Sequence, residues 1–169
     1  MPTESFIILA VFAVLVIVVY AIYRFRTRKK RKEKLKNAKI KRKVNNLSKT
    51  KVEMSPSEFI ALRAQTFGGR GSRLHDKLNF EGVYVLFNRT KNKYYVGQGK
   101  QVLDRVNMHF TGKGNGDVYA DYKYGDDFTI KIIGLKRSGY RTLNALERDA
   151  IATFDACAKG YNKTKGNRN

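Results

Sequence analysis

Residues 82–99 read GVYVLFN, RTKNK and YYVGQG, and the fold follows from how that stretch divides. Two short runs rich in β-branched and aromatic residues, 82–88 and 94–97, have the composition of strands. The polar segment 88–93 between them has the length of a hairpin loop. A hairpin sets Tyr84 and Tyr95 on neighbouring strands. Beyond it, residues 101–110 form a helix with Val102, Leu103 and Val106 inward, and Arg105 and His109, four apart, share one face of it. The glycine-rich 111–116 is expected to be mobile, 117–124 a short helix, and 128–132 a third strand because it alternates. In 141–156, Leu143, Leu146, Ala150, Ile151 and Phe154 recur at helical steps, which places Glu147 at the edge of the apolar stripe.

Upstream the composition changes sharply. Residues 6–23 (FIILAVFAVLVIVVYAIY) hold no charge and as a helix reach about 27 Å, close to the roughly 30 Å of a hydrocarbon core. Only Glu4 precedes this run and arginines follow it, the reverse of a cleaved signal peptide, so a retained transmembrane anchor is expected. Residues 24–51 carry fifteen Lys or Arg against Glu33 alone, which supplies +14 of the net +21. The positive-inside rule then puts the N-terminus outside and the rest in the cytoplasm. This basic segment suits contact with anionic headgroups, nucleic-acid binding or the fixing of topology alone, and topology with lipid contact is favoured because no aromatic follows Phe25 in it for base stacking. Leu35, Ala38, Ile40, Val44 and Leu47 are too sparse for an apolar face, which leaves a solvated spacer.

Ser55-Pro56-Ser57-Glu58 starts a helix, with serine capping, proline in the first turn and glutamate three residues on. Arg70, Arg73 and Lys77 with three glycines suit a phosphate-contacting loop or an ordinary linker. His75 is left as a surface residue. The single Cys157 forbids an internal disulfide, and no Cys/His spacing offers a zinc site. The expected organisation is an anchor at 1–23, a basic spacer at 24–53, a helix and basic loop at 54–80, a folded domain at 81–164 and a basic tail at 165–169.

Gly82-Val83-Tyr84, then Tyr95-Val96-Gly97 after ten intervening residues, with Arg105, His109 and Glu147 beyond, resembles the GIY-YIG endonuclease family. The isoleucines of that name are Val83 and Val96 here. The resemblance implies an α+β fold, a small three-stranded antiparallel sheet flanked by helices, here preceded by a single transmembrane helix. It also implies a catalytic set of Tyr84, Tyr95, Arg105, Glu147 and Asn162, with His109 as in part of the family.

Those residue types suit phosphodiester hydrolysis. A phenol beside a cation can ionise below its usual pKa of about 10 and act as general base, the role expected of Tyr84, with Tyr95 positioning the water or sharing the proton. Arg105 offers a planar fork to phosphate oxygens, and Glu147 a hard oxygen for one Mg²⁺ or Mn²⁺ ion. His109 is expected to bond the phosphate or relay a proton, and Asn162 to fix Glu147 or nearby backbone. Tyr94, Tyr119, Tyr122 and Tyr140 are read as packing residues. Expected nucleic-acid contacts are Arg70, Arg73, Lys93, Lys100 and Lys113. The expected function is a membrane-anchored, metal-dependent endonuclease that cuts DNA on the cytoplasmic side, where DNA crosses the membrane in phage defence or transfer. The alternative is a tethered nucleic-acid-binding or scaffold protein that uses the nuclease fold without catalysis.

Overall fold

The computed structural model describes residues 2–67, 72–73 and 79–167, with the backbone alone at 2–11, 13, 66–67 and 72–73. Helix α1 (Pro2–Lys49) is followed by strand β1 (Glu53–Met54), helix α2 (Pro56–Ala64) and the short strands β2 (Thr66–Phe67) and β3 (Ser72–Arg73). Strands β4 (Gly82–Asn88) and β5 (Lys93–Gly99) come next, then α3 (Val102–Phe110), α4 (Gly116–Lys123), β6 (Phe128–Gly134) and α5 (Leu143–Thr153). The chain divides into two compact units, residues 1–39 and 40–169.

The second unit is built on an antiparallel sheet of order β1-β6-β4-β5, with β2 and β3 pairing separately. The hairpin loop falls where the polar run predicts, and its turn is closed by Lys91 N–H donating to Asn88 Oδ1 at 2.9 Å. The sheet has four strands where three were expected. The addition, β1, pairs Glu53 with Lys131 and Met54 with Ile130 at the edge of β6. Two residues show no period, so no sequence pattern announces such a strand. Glu53 pins it, accepting from Lys131 at 3.0 Å and Arg89 at 3.3 Å. These partners and the Thr129 hydroxyl, the largest influence, hold the Glu53 carboxyl down at about 2.

Central β4 is paired along both edges and covered by helices on both faces, so it is apolar on both faces up to Asn88. Tyr84 and Leu86 point to one face with Phe128 and Ile130, under Phe59 of α2, Val102, Val106 and Phe110 of α3, and Val118 of α4. Val83 and Val85 point to the other with Val96 and Ile133, under Leu146, Ala150 and Ile151 of α5. Ser55 caps α2 as predicted, its hydroxyl accepting from Glu58 N–H while Glu58 accepts from Ser55 N–H at 2.7 Å.

The end of α1 departs from the solvated spacer expected of it. Val44 is fully buried among Val83, Val85 and Ile133, with Leu47 packed beside it. With Ile40 and Ser48, these residues recur at three- and four-residue steps, a narrow stripe hidden among lysines. In the first unit, residues 12 and 14–23 are exposed, with Phe12 at 65 % and Phe25 at 70 %. Among the described residues no helix is long and apolar enough to cross a membrane. The segment expected to span, 6–23, lies partly outside them, since the side chains at 6–11 and 13 are not described.

Because Val44 fills a closed core, Val44→Ala is expected to cost about 2 kcal/mol, seen as a lower urea midpoint of the full chain. Leu35→Ala, at a residue 56 % exposed, should leave the midpoint in place. Equal midpoints for both variants would show that the end of α1 does not belong to the fold.

Candidate active site

In the hairpin register Tyr84 stands directly opposite Gly97. A Cβ at Gly97 would overlap the Tyr84 hydroxyl, so the bare glycine lets that ring lie across the neighbouring strand. Two further glycines serve the same purpose. A Cβ at Gly99 would lie 2.7 Å from Arg105 Cγ, and one at Gly114 would lie 2.6 Å from His109 Nδ1. Each of three expected catalytic side chains therefore rests on a residue with no side chain of its own.

Helix α3 is fixed from upstream. Val102 N–H donates to Phe80 O and Leu103 N–H to Asn79 Oδ1, each at 3.0 Å, while Asn79 Nδ2 reaches Asp104 at 2.9 Å. Arg63 of α2 holds the other Asp104 oxygen at 3.2 Å. The helix so placed carries Arg105 and His109 on one face, as their spacing predicts, but to different depths. Arg105 is exposed, its guanidinium 3.5 Å from Met108 Sδ, whereas His109 is 1 % exposed.

His109 faces Tyr84, and phosphate contact is not the role its burial allows. Its Nδ1 accepts from Asn115 N–H at 2.9 Å, so the neutral ring carries its proton on Nε2. That N–H donates to the Tyr84 hydroxyl oxygen at 2.8 Å. Ring centroids of His109 lie 5.4 Å from Tyr84 and 4.7 Å from Tyr95, and the two tyrosines are 6.2 Å apart. Burial first, then the Arg105 charge, pushes the imidazole down to about 4. The 111–116 segment, expected to be mobile, supplies both the glycine and the N–H that hold this ring.

The phenols run against expectation. Burial raises Tyr84 far above the ordinary tyrosine range, Tyr95 adds to the rise, and the Arg105 charge only partly opposes it. Tyr95 is also raised by burial, but a hydrogen bond from Tyr84 and the Arg105 charge both pull it down. Tyr84 is 1 % exposed and Tyr95 half-buried. A ground-state Tyr84 phenolate below pKa 10 is thus not what this environment favours.

Glu147 is half-buried on α5 and its charge acts on both phenols. Burial raises its carboxyl, eased by the Asn167 N–H. Asn162 does not fix Glu147. Its Nδ2 donates to Val96 O at 2.7 Å and its Oδ1 accepts from Val96 N–H at 2.8 Å. The side-chain amide thereby pairs with edge strand β5 as another strand's peptide would, and Tyr161 N–H adds a bond to Tyr94 O at 2.9 Å. Asn162 is a positioning residue for Tyr95 and Gly97.

The expected nucleic-acid contacts separate. Lys100 lines a cleft beside Gly99, and Lys113 sits exposed in the turn after α3. Lys93, 5.7 Å from the Tyr161 ring, is four positions and about 13 Å along β5 from Gly97. Arg70, His75 and Lys77 lie outside the described residues, as does the side chain of Arg73. Asn79 and Asn115 are site residues that sequence patterns did not single out. Asn115 had a signal, an Asn before a short helix in the cap position, where it accepts from Val118 N–H at 3.0 Å.

Residues 80–162 match the GIY-YIG catalytic domain. The match takes in both motif tyrosines, Arg105, His109, Glu147 and Asn162, so this region, with all of those positions, is similar to a GIY-YIG catalytic domain. No curated protein and no solved structure gave a significant match. The GIY-YIG domain buries its histidine neutral, which ties its stability to pH. Between pH 6.5 and about 4 the unfolded chain binds a proton at His109 that the folded chain excludes. Stability is full above pH 6.5 and lost as pH falls through that window. His109→Gln should lessen the loss of unfolding free energy between pH 7 and pH 5 by about 2 kcal/mol. An unaltered pH slope in the variant would show that His109 is not held neutral.

Proposed function

We propose that the protein is a metal-dependent endonuclease that hydrolyses DNA phosphodiester bonds, tethered to a membrane by α1. The observation that carries this is the convergence of Arg105 and Glu147 on the His109–Tyr84–Tyr95 cluster, both charges acting on both phenols. A phosphodiester resists attack because its oxygens repel a nucleophile and its leaving alkoxide is poor. Arg105 meets the first difficulty, a planar cation for the non-bridging oxygens. Tyr95 is the base we assign, since it is the phenol that reaches solvent and the one whose ionisation its neighbours ease. Tyr84, donating to Tyr95 and accepting from His109, orients that hydroxyl and stabilises the phenolate formed when Tyr95 releases its proton to solvent; the phenolate then takes the water's proton and returns to neutral phenol.

Among the described residues there is no group of three or more acidic, His or Cys side chains to cage a metal. Glu147 fits a lighter arrangement. Burial penalises its charge and the Asn167 N–H relieves only part of that penalty, so a hard divalent cation held mostly by water and phosphate suits it. Such an ion, Mg²⁺ or Mn²⁺, would be held on the protein side by Glu147 and would supply positive charge to the reacting phosphate.

Membrane attachment is supported by the exposed apolar positions 12 and 14–23, followed by fifteen cations in 24–51 that suit anionic headgroups on the cytoplasmic side. Such a tether confines cutting to DNA at that face, where it enters or leaves. Membranes from cells expressing the full chain should retain it through alkaline carbonate washing, and its release into the supernatant would remove the anchor from the proposal.

For the chemistry, the full chain with supercoiled plasmid and Mg²⁺ is expected to nick. Arg105→Ala and Glu147→Ala should each slow nicking by about 10²- to 10³-fold. Tyr95→Phe should slow it more than Tyr84→Phe does, and the reverse order would return the base to Tyr84. Salt-sensitive DNA binding without nicking would instead favour a docking protein.

A further inference from the structure

The strand that carries the scissile phosphate needs a path away from the site, and one wall of the GIY-YIG domain offers it. A cleft of about 450 Å³ runs between the end of β5 and the start of α5, lined by Gln98, Gly99, Lys100, Arg141 and Asn144, with the exposed Glu81 beside them. It borders the proposed chemistry on both sides. Gly99 is where Arg105 rests, and Asn144 stands three residues before Glu147 on α5, hence on the same helix face. The cleft adjoins a second, of about 890 Å³, that shares Glu81, Leu135 and Arg141 and adds Lys136, Arg137 and Tyr140.

The charge along this path is one-sided. Lys100, Lys136, Arg137 and Arg141 face the single acid Glu81, and among the described residues none of the four makes an ion pair. Four such cations with no internal partner are placed for an external polyanion. The wall that carries three of them is preformed. Ser138 Oγ donates to Leu135 O at 2.7 Å and accepts from Tyr140 N–H at 3.1 Å. Lys43 Nζ donates to Gly139 O at 2.9 Å and lies 3.8 Å from the Tyr140 ring centroid, while the Tyr140 hydroxyl donates to Asp149 at 3.0 Å. Gly139 at φ 72° and Arg137 at φ 68° turn the chain so that Arg137 is exposed. In the first cleft Gln98 Nε2 donates to Asn144 Oδ1 at 2.7 Å, which ties the end of β5 to the start of α5.

We propose that this double cleft binds the DNA backbone flanking the cut, with Lys136, Arg137 and Arg141 on successive phosphates and Lys100 nearest the scissile one. The inference rests on the nuclease reading for the nature of its ligand, so its test measures binding apart from cutting. The full chain, without divalent metal, is titrated into a fluorescent duplex of about 20 base pairs over a range of salt. Lys136→Gln, Arg137→Asn and Arg141→Gln are combined, asparagine being chosen for its tolerance of positive φ. All three positions are exposed, so the fold should survive, and urea midpoints check that.

The combined variant should bind at least about 10-fold more weakly. Its salt slope should fall by about 0.9 for every phosphate it no longer neutralises. A control lacking three charges of α1, Lys29→Gln, Lys30→Gln and Arg31→Gln, should bind duplex like the unaltered chain. Undiminished binding by the combined variant, an equal weakening in the control, or no binding by the unaltered chain would overturn the proposal. Groove-dependent binding by a chain that never nicks leaves the groove standing and sinks the nuclease. Nicking with groove-independent binding does the opposite.

Discussion

The rest of the site depends on one close approach, the Tyr84 ring lying over Gly97 of the next strand. Paired strands bring directly opposed residues within a few ångströms, so an aromatic ring can cross to its neighbour only where that neighbour has no Cβ. With the ring there, the Tyr84 hydroxyl meets His109, and the His109 ring in turn needs Gly114 beneath it and the Asn115 N–H on its far nitrogen. Asn162 holds the same strand from its open edge through Val96, between Tyr95 and Gly97. Three segments distant in sequence, around Tyr84, 109–115 and Asn162, thus meet at one short piece of β5.

Those ties determine protonation. The backbone N–H at Nδ1 leaves the imidazole proton on Nε2, so the histidine is a donor to Tyr84 and cannot draw its proton in the resting state. Burial then raises both phenols and lowers the imidazole, so each group is uncharged at rest. A site held neutral in this way keeps Tyr84 and His109 apart from solvent while Tyr95 reaches it, and developing charge meets groups already oriented. The basic loop 134–141 belongs to the same design, since its shape is fixed by hydrogen bonds within the loop and by Lys43 and Asp149 outside it.

Much of this was legible. The hairpin, the third strand and the helices after it follow from local periods of two and 3.6, and the shared face of Arg105 and His109 from their spacing. Other features left too faint a trace. Strand β1 is two residues long, below any period. The stripe of Ile40, Val44, Leu47 and Ser48 is narrow and surrounded by lysines, so composition argued for solvent where packing put a core residue. The glycines of 111–116 looked like freedom of motion and instead make room for His109.

The sequence by itself determined which chemistry was on offer: two phenols on paired strands, a guanidinium and an imidazole one turn apart, and a carboxylate at the edge of an apolar helix face. Spacing along the chain decides which side chains share a strand or a helix face, and spacing is local. The tertiary structure alone decided how deep each group lies, which phenol meets water, that Asn162 grips a backbone, and in which direction each proton affinity moves. Desolvation is the reason, because the water removed from a side chain depends on everything packed around it. Here those walls come from β4, β5, α3 and a loop far along the chain.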